Sequence, residues 1–195
     1  AALTDADWVK GYETNAGNPV STQKLFSGLK RYGINTIRIP IAWSNMMVQE
    51  KQSDGSTYYR INEAYFDRVE EVINYCLNEE MYVIINDHWD GQWWGMFGDA
   101  DLSVRAQAWK KYEDMWTQIA NRYIDYSDRL IFEGANEELG ERLNDNWKGT
   151  GGTKGVLTRK ETYALTNEIN QKFVDIIRKS GINADGTKNN NYYRM

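Results

Sequence analysis

The sequence has 195 residues, a net charge of -5, a pI near 5.1 and 41% hydrophobic residues. This composition supports a core and argues against a disordered chain, and the mild acidity argues against nucleic acid or an anionic membrane as the main partner. No apolar run approaches the roughly 18 residues of a membrane-spanning helix. The first residues lack the basic start and apolar centre of a signal peptide, although a processed segment would look the same.

Four segments with helical spacing alternate with three β-rich runs. The first helical stripe is Leu25, Phe26, Leu29 and Tyr32; the second is Tyr65, Phe66, Val69, Ile73, Cys76 and Leu77; the third is Trp109, Tyr112, Trp116, Ile119 and Tyr123; the fourth is Leu165, Ile169, Phe173, Ile176 and Ile177. The β-rich runs are residues 35–43 (NTIRIPIAW), 82–88 (YVIINDH) and 129–135 (RLIFEGA). Strands that alternate with helices predict a parallel sheet with right-handed crossovers. The least regular stretches, residues 44–59 and 144–158, follow strands.

Cysteine and histidine are scarce. Cys76 is the single cysteine, which excludes an intramolecular disulfide and a cysteine-based metal cluster. It lies on the apolar face of a predicted helix, so we expect it in the core. His88 is the single histidine and cannot form the usual multi-histidine metal site. The sequence therefore predicts neither a metal nor a cofactor.

Polar residues follow or interrupt the three predicted strands. Arg38 lies inside TIRIP and needs a partner, because an unpaired buried charge costs several kcal/mol; Glu133 is the natural candidate. Strand parity predicts that Asn86 and His88 point the same way. It also places Asn136 opposite to Glu133 and Glu137, unless the strand has already broken.

Tryptophan is dense after the second run, where WDGQWWGMFGDAD places Trp89, Trp93 and Trp94 within six residues. Flat rings with a polar tip suit stacking on sugars. We expect carbohydrate contact by Trp93 or Trp94, with plain core packing as the alternative.

Three stretches resemble glycoside hydrolase family 5, the cellulase-type enzymes of clan A. They are GNPVSTQKLFSGLKRYGINTIRIPIAW, YFDRVEEVINYCLNEEMYVIINDHWDGQWW and WTQIANRYIDYSDRLIFEGANE, within a resemblance that runs from about residue 12 to residue 181. It implies a (β/α)8 barrel that hydrolyses β-1,4-linked polysaccharides with retention, and a secreted protein. The partner would be a β-glucan, with xyloglucan, mannan and mixed-linkage glucan left open.

The resemblance also implies roles for individual residues. Glu137 matches the general acid/base and Asn136 the amide that contacts the sugar 2-hydroxyl, while Arg38 and His88 match the active-site arginine and histidine. The acid must stay protonated, which burial and a neighbouring negative charge accomplish. Glu138 stands where a proline is most common. The aromatic residues that match sugar subsites less closely are Trp43, Trp89, Trp93 and Trp94.

The resemblance covers only part of such a barrel, which takes ~250 residues. The first strand is not found, and the chain stops where a fifth would start, so we expect strands two to four of an α/β (β/α)8 barrel in one partial catalytic domain, residues 1–195. No residue matches the nucleophile expected after strand seven. We therefore expect this chain to carry the acid/base half of an endo-β-1,4-glucanase and to be inactive alone.

An open piece of parallel sheet leaves two unpaired edges and an apolar face. We expect completion by self-association or by a complementing half-barrel. A flavodoxin-like sandwich is the alternative fold, with helices on both faces of the sheet. The alternative functions are a non-catalytic β-glucan-binding module and an inactive truncated folding unit.

Overall fold

The computed structural model describes residues 20–88, 91–137, 141–144, 152–180 and 187. The strands in chain order are β1 (Thr36–Ile39), β2 (Met47–Lys51), β3 (Thr57–Ile61), β4 (Tyr82–Asn86) and β5 (Leu130–Glu133). The α-helices are α1 (Gln23–Arg31), α2 (Glu63–Leu77), α3 (Gly91–Trp94), α4 (Leu102–Arg122) and α5 (Arg159–Ser180), and short 3-10 turns cover Trp43–Met46, Gly95–Gly98 and Glu141–Leu143.

The four long helices form where the apolar spacing predicts them. Polar caps begin two of them: the side chain of Asn62 accepts from the backbone N–H of Ala64, and that of Asp101 accepts from the N–H of Ser103. Each cap satisfies an N–H that has no partner within its helix. In α1 the prediction is only partly right, because Phe26 is buried while Leu25 and Tyr32 are exposed.

Gly33 makes the turn from α1 into β1. Its φ of 87° lies in the left-handed region, where a side chain causes strain. Its N–H donates to the carbonyl of Lys30, and the N–H of Ile34 donates to that of Leu29. These bonds close the end of the helix and direct the chain into the sheet.

The central sheet is parallel, with strand order β1-β4-β5. Ile39 pairs in register with Ile85 and Ile85 with Phe132, and all three side chains face the helices. Ile85 is fully buried and Phe132 is 8% exposed. Cys76 of α2 is also fully buried, as expected, and burial raises the pKa of its thiol to about 12.

The opposite face of the sheet, here called the open face, is much less covered. Tyr82 and Ile131 on this face are 44% and 39% exposed, and Arg38 shares it. Helices therefore cover one face of the described sheet, as in one segment of a barrel. The α/β prediction is confirmed, and the described strands do not close on themselves. The flavodoxin-like alternative, which needs helices on both faces, is not observed among the described residues.

The expectation that residues 44–59 are among the least regular stretches is wrong. Strands β2 and β3 form an antiparallel hairpin, and Gly55, with a φ of 84°, lies in the turn between them. The outer edge of β3 is bound by side chains of α4. Asp114 accepts from the N–H of Tyr59, and Gln118 accepts from the N–H of Ile61 while donating to the carbonyl of Tyr59.

None of the helices in the described part of the chain has the combination of length and apolar character that crossing a bilayer requires.

Candidate active site

The polar cluster lies at the carboxyl end of the three parallel strands, where open α/β sheets place their ligand sites. Arg38 of β1 makes two contacts with Glu133 of β5: Nε to Oε2 at 2.8 Å and Nη2 to Oε1 at 2.6 Å. This two-pronged geometry confirms the pairing that the sequence predicted. The pair spans β4, which lies between the two strands.

The Arg38–Glu133 pair is ionised. The hydrogen bond from Arg38 holds the pKa of the Glu133 carboxyl below its usual value, and the same bond raises the pKa of Arg38. The side chains are 37% and 35% exposed, so solvent screens their attraction and the stabilisation is about 1 kcal/mol or less. The main result of the pair is that it fixes the guanidinium in place.

Asn136 is held from two sides. Nη2 of Arg38 donates to its Oδ1 at 2.9 Å, and its own N–H donates to the carbonyl of Asp87 at 2.9 Å. Strand β5 ends at Glu133, so the parity rule no longer applies at Asn136, which turns toward the same guanidinium as Glu133. The exception that the sequence left open, a strand already broken, is the observed case.

Gly134, the first residue after β5, lies close to α5. A Cβ at Gly134 would lie 2.9 Å from Cγ of Phe173 on α5, which is too close for an ordinary contact. Phe173 in turn packs edge-on against Trp116, with ring centroids 4.7 Å apart. The glycine therefore lets α5 pack tightly beneath the residues that lead into Asn136 and Glu137.

Asn86 and His88 complete the cluster. Nδ2 of Asn86 lies 3.4 Å from Nδ1 of His88 and 3.4 Å from Oε1 of Glu133. The backbone N–H of His88 donates to the carbonyl of Ile41 at 2.8 Å, which ties β4 to the segment after β1. The expectation that Asn86 and His88 point the same way is confirmed.

Asn86 and Glu133 were not among the residues to which sequence reasoning gave a site role. The sequence does contain a feature that could have indicated this role, since both are polar residues at the ends of apolar strands. Sequence alone shows neither that Asn86 is completely buried nor that its amide lies between two groups of the site.

Glu137 follows Asn136 directly and is exposed. The described residues therefore do not supply the burial expected around a carboxylic acid that must keep its proton. Glu138 lies outside the described residues.

The described tryptophans do not form the predicted surface. Trp94 and Trp43 are fully buried and Trp93 is 4% exposed, so none of them offers a free ring face to a sugar. Trp93 and Trp94 stack on each other at 4.9 Å, and Trp94 meets Tyr112 edge-on. The expectation of sugar contact by these three residues is corrected to core packing. Trp89 lies outside the described residues.

Trp43 has a different relation to the site. Its ring Nε1–H donates to the backbone carbonyl of Asn86 at 3.0 Å, and the ring packs edge-on against Tyr65 at 5.6 Å. It therefore anchors the end of β4 from the helix-covered side. In the described part of the chain, no group of three or more His, Cys, Asp or Glu residues could hold a metal ion.

The arrangement presents hydrogen-bonding groups of different kinds from three strand ends. A guanidinium, an amide and an imidazole can all form hydrogen bonds with the hydroxyl groups of a polar ligand, and one exposed carboxyl lies beside them. The profile of the family described as Cellulase (glycosyl hydrolase family 5) matches residues 4–189.

Curated relatives agree with that match. The chain is 36% identical over 173 residues to a xyloglucan-specific endo-beta-1,4-glucanase from Bacteroides ovatus, covering 89% of this chain and 31% of the relative. It is also 36% identical over 173 residues to endoglucanase B from Clostridium cellulovorans, covering 89% and 35%. The chain thus spans about a third of the length of these relatives.

Solved structures match the fold as well. A broad-specificity endoglucanase from Clostridium cellulovorans superposes with a TM-score of 0.68 at 34% identity, covering 95% of this chain and 52% of that one. A lichenase mutant from Caldicellulosiruptor sp. F32, solved with cellotetraose, gives a TM-score of 0.72 at 29% identity, covering 93% and 44%. Sequence profile, relatives and fold agree: the chain belongs to glycoside hydrolase family 5, the cellulase family.

Proposed function

We propose that this chain is part of a retaining endoglucanase that hydrolyses internal β-1,4 bonds of cellulose or a related β-glucan, and that it carries the acid/base side of the active site. The endoglucanase relatives and the cellotetraose complex of a structural neighbour support this substrate class. On this proposal residues 1–195 form one partial catalytic domain, and the protein works outside the cell, where such polysaccharides are found.

The observation that carries the proposal is the anchoring of Asn136 immediately before Glu137. Arg38 holds Glu133 and Asn136 with one guanidinium, and the carbonyl of Asp87 holds the backbone of Asn136. Three strand ends therefore fix the residue preceding the proposed acid. Preorganisation of this kind is what a catalytic group requires, since small misplacements cost large factors in rate.

The proposed chemistry follows from this placement. Glu137 would protonate the leaving glycosidic oxygen, and Asn136 would hold the sugar 2-hydroxyl, a contact that strengthens in the transition state. A retaining enzyme needs a second carboxylate ~5–5.5 Å from the first. No residue of this chain matches that nucleophile, so we propose that it comes from outside these residues and that the chain alone is inactive.

The missing carboxylate also requires a partner surface. We propose that the open face is covered by a second copy of this chain or by a complementing half-barrel. Such cover would also bury Glu137, as the site of a glycosidase acid requires. Parallel sheets are otherwise buried on both faces.

The test combines binding and turnover. Cellotetraose is titrated into the chain by calorimetry, and reducing-sugar release from carboxymethyl-cellulose is measured for the wild type, Glu137→Gln and Glu168→Gln. Glu168 is an exposed carboxyl on α5 and is the matched control. We expect cellotetraose to bind all three variants with similar affinity. We expect no release from the isolated chain, and any release from a complemented sample to be lost in Glu137→Gln alone.

Each other outcome has a defined meaning. Absence of cellotetraose binding would favour the truncated folding unit. Binding without turnover, even after complementation, would favour the glucan-binding module. Release that persists in Glu137→Gln would contradict the role of Glu137, and clear release by the pure chain would contradict its inactivity.

A further inference from the structure

Asn86 occupies the centre of the polar cluster but has no assigned task in the chemistry above. It is the last residue of β4, it pairs in register with Glu133 of β5, and it is fully buried. Its Oδ1 has no hydrogen-bond partner among the described residues. A buried amide that leaves its acceptor unused is not explained by packing alone.

The orientation of the amide is set by Glu133. Arg38 keeps the Glu133 carboxylate ionised, so this carboxylate accepts hydrogen bonds and donates none. The amide nitrogen of Asn86 must therefore face Oε1 of Glu133, as it does at 3.4 Å. If the amide were turned over, its oxygen would face a negatively charged oxygen, which is repulsive.

The same nitrogen also faces His88, with Nδ2 of Asn86 3.4 Å from Nδ1 of the ring. The NH2 group has two hydrogens, one for each neighbour. Both contacts are at the long end for hydrogen bonds, so each is weak. The tautomer that the contact with His88 favours is nevertheless clear. A proton on Nδ1 would point at an N–H group of Asn86, which is repulsive.

We propose that Asn86 is a positioning residue that keeps Nδ1 of His88 unprotonated, so that the neutral ring carries its proton on Nε2. Arg38 holds the Glu133 carboxylate in its ionised form, the carboxylate orients the Asn86 amide, and the amide sets the tautomer of the imidazole. The ring is thereby set to donate from Nε2 to an acceptor, for which a sugar hydroxyl oxygen is the appropriate class. The donation from Nε2 to a sugar hydroxyl rests on the proposed function, whereas the assignment of the tautomer does not.

His88 is the only histidine in the sequence, so its ring nitrogens can be observed without interference. The chain is labelled with 15N-histidine, and long-range proton–nitrogen correlations are recorded at about pH 8, where an ordinary imidazole is neutral. We expect the wild type to show a protonated Nε2 and an unprotonated Nδ1. A protonated Nδ1 in the wild type would overturn the proposal.

Substitutions then separate the effect of the Asn86 amide from the tautomer that the imidazole ring prefers by itself. Asn86→Asp replaces the donor by an acceptor, so the proton of the neutral ring should move to Nδ1. Asn86→Ala removes the donor, so the two tautomers should mix. Asn78→Asp makes the same chemical change on the exposed end of α2 and should leave the spectrum unchanged.

An unchanged tautomer in both Asn86 variants would overturn the proposal. If Asn86→Asp does not fold, the wild type and Asn86→Ala still decide. The measurement needs neither substrate nor turnover. A chain that binds no cellotetraose but shows the expected tautomer shift would therefore reject the proposed function and keep the role of Asn86.

Discussion

The two faces of the parallel sheet show how this chain separates stability from chemistry. On the helix-covered face, Val83 and Ile85 are fully buried, and the residues that pair with them in register on β1 and β5 are apolar. On the open face, Arg38 and Glu133 form a solvent-screened pair, and Ile131 is partly exposed. The covered face supplies the free energy of folding, and the open face can hold charged groups because it contributes less to that energy.

Neighbouring isoleucines on opposite faces offer the largest test of this difference. Ile85→Ala should lower the free energy of unfolding by about 2–5 kcal/mol, because it leaves a cavity in the core. Ile84→Ala removes the same atoms from a half-buried position and should cost about 1 kcal/mol. Urea unfolding measures both. Equal losses would show that the open face is as tightly packed in solution as the covered one.

The Arg38–Glu133 pair should give a smaller and pH-dependent effect. The folded pKa of Glu133 lies below its unfolded value, so the pair stabilises the fold above the unfolded pKa of roughly 4.3, and this contribution is lost as pH falls through the folded pKa. Because both groups are more than a third exposed, the contribution at pH 7 is about 1 kcal/mol or less.

Glu133→Gln is the variant that measures this contribution. Its stability should differ from that of the wild type by this amount at pH 6, and the difference should shrink as the pH is lowered to about 3.5. High salt should reduce the difference at pH 6 as well. A difference that grows as pH falls would mean that the carboxyl pairs less favourably in its charged form.

The smallest effect on folding is expected for Ile131→Lys on the open face. Its unfolding free energy should change by only about 0.5 kcal/mol, as for most surface substitutions. Self-association, followed by sedimentation, should nevertheless weaken, because a second copy would have to bury the new charge. Leu102→Lys, at a 73% exposed position at the start of α4, is the matched control. Equal weakening by both variants would contradict docking on the open face.

Much of this fold can be predicted from the residues, because the apolar spacing of the long helices and strands is regular. The three parallel strands and four long helices are found where the spacing indicates them. The hairpin was missed, although Asp54-Gly55 between β-prone runs is a typical hairpin signal. The polar character of MVQEK hid its first strand.

The site was predicted in part, for reasons that differ between residues. The pairing of Arg38 with Glu133 follows from charge, because an arginine within an apolar strand needs an acid. The direction of the Trp93 and Trp94 rings does not follow from composition, since the same rings can face a sugar or the core. Here a short helix turns them inward against Phe97 and Tyr112. The contacts of Asn86 depend on burial and register, which residue types do not show.

The attachment of the hairpin to α4 has a consequence for how copies of this chain can join. The outward N–H groups of Tyr59 and Ile61 already bind Asp114 and Gln118, so they cannot act as a template for a foreign strand. Fibre-like growth from the outer edge of β3 is thereby blocked. A strand that continues a barrel would be added at the parallel sheet, beside β1 or β5.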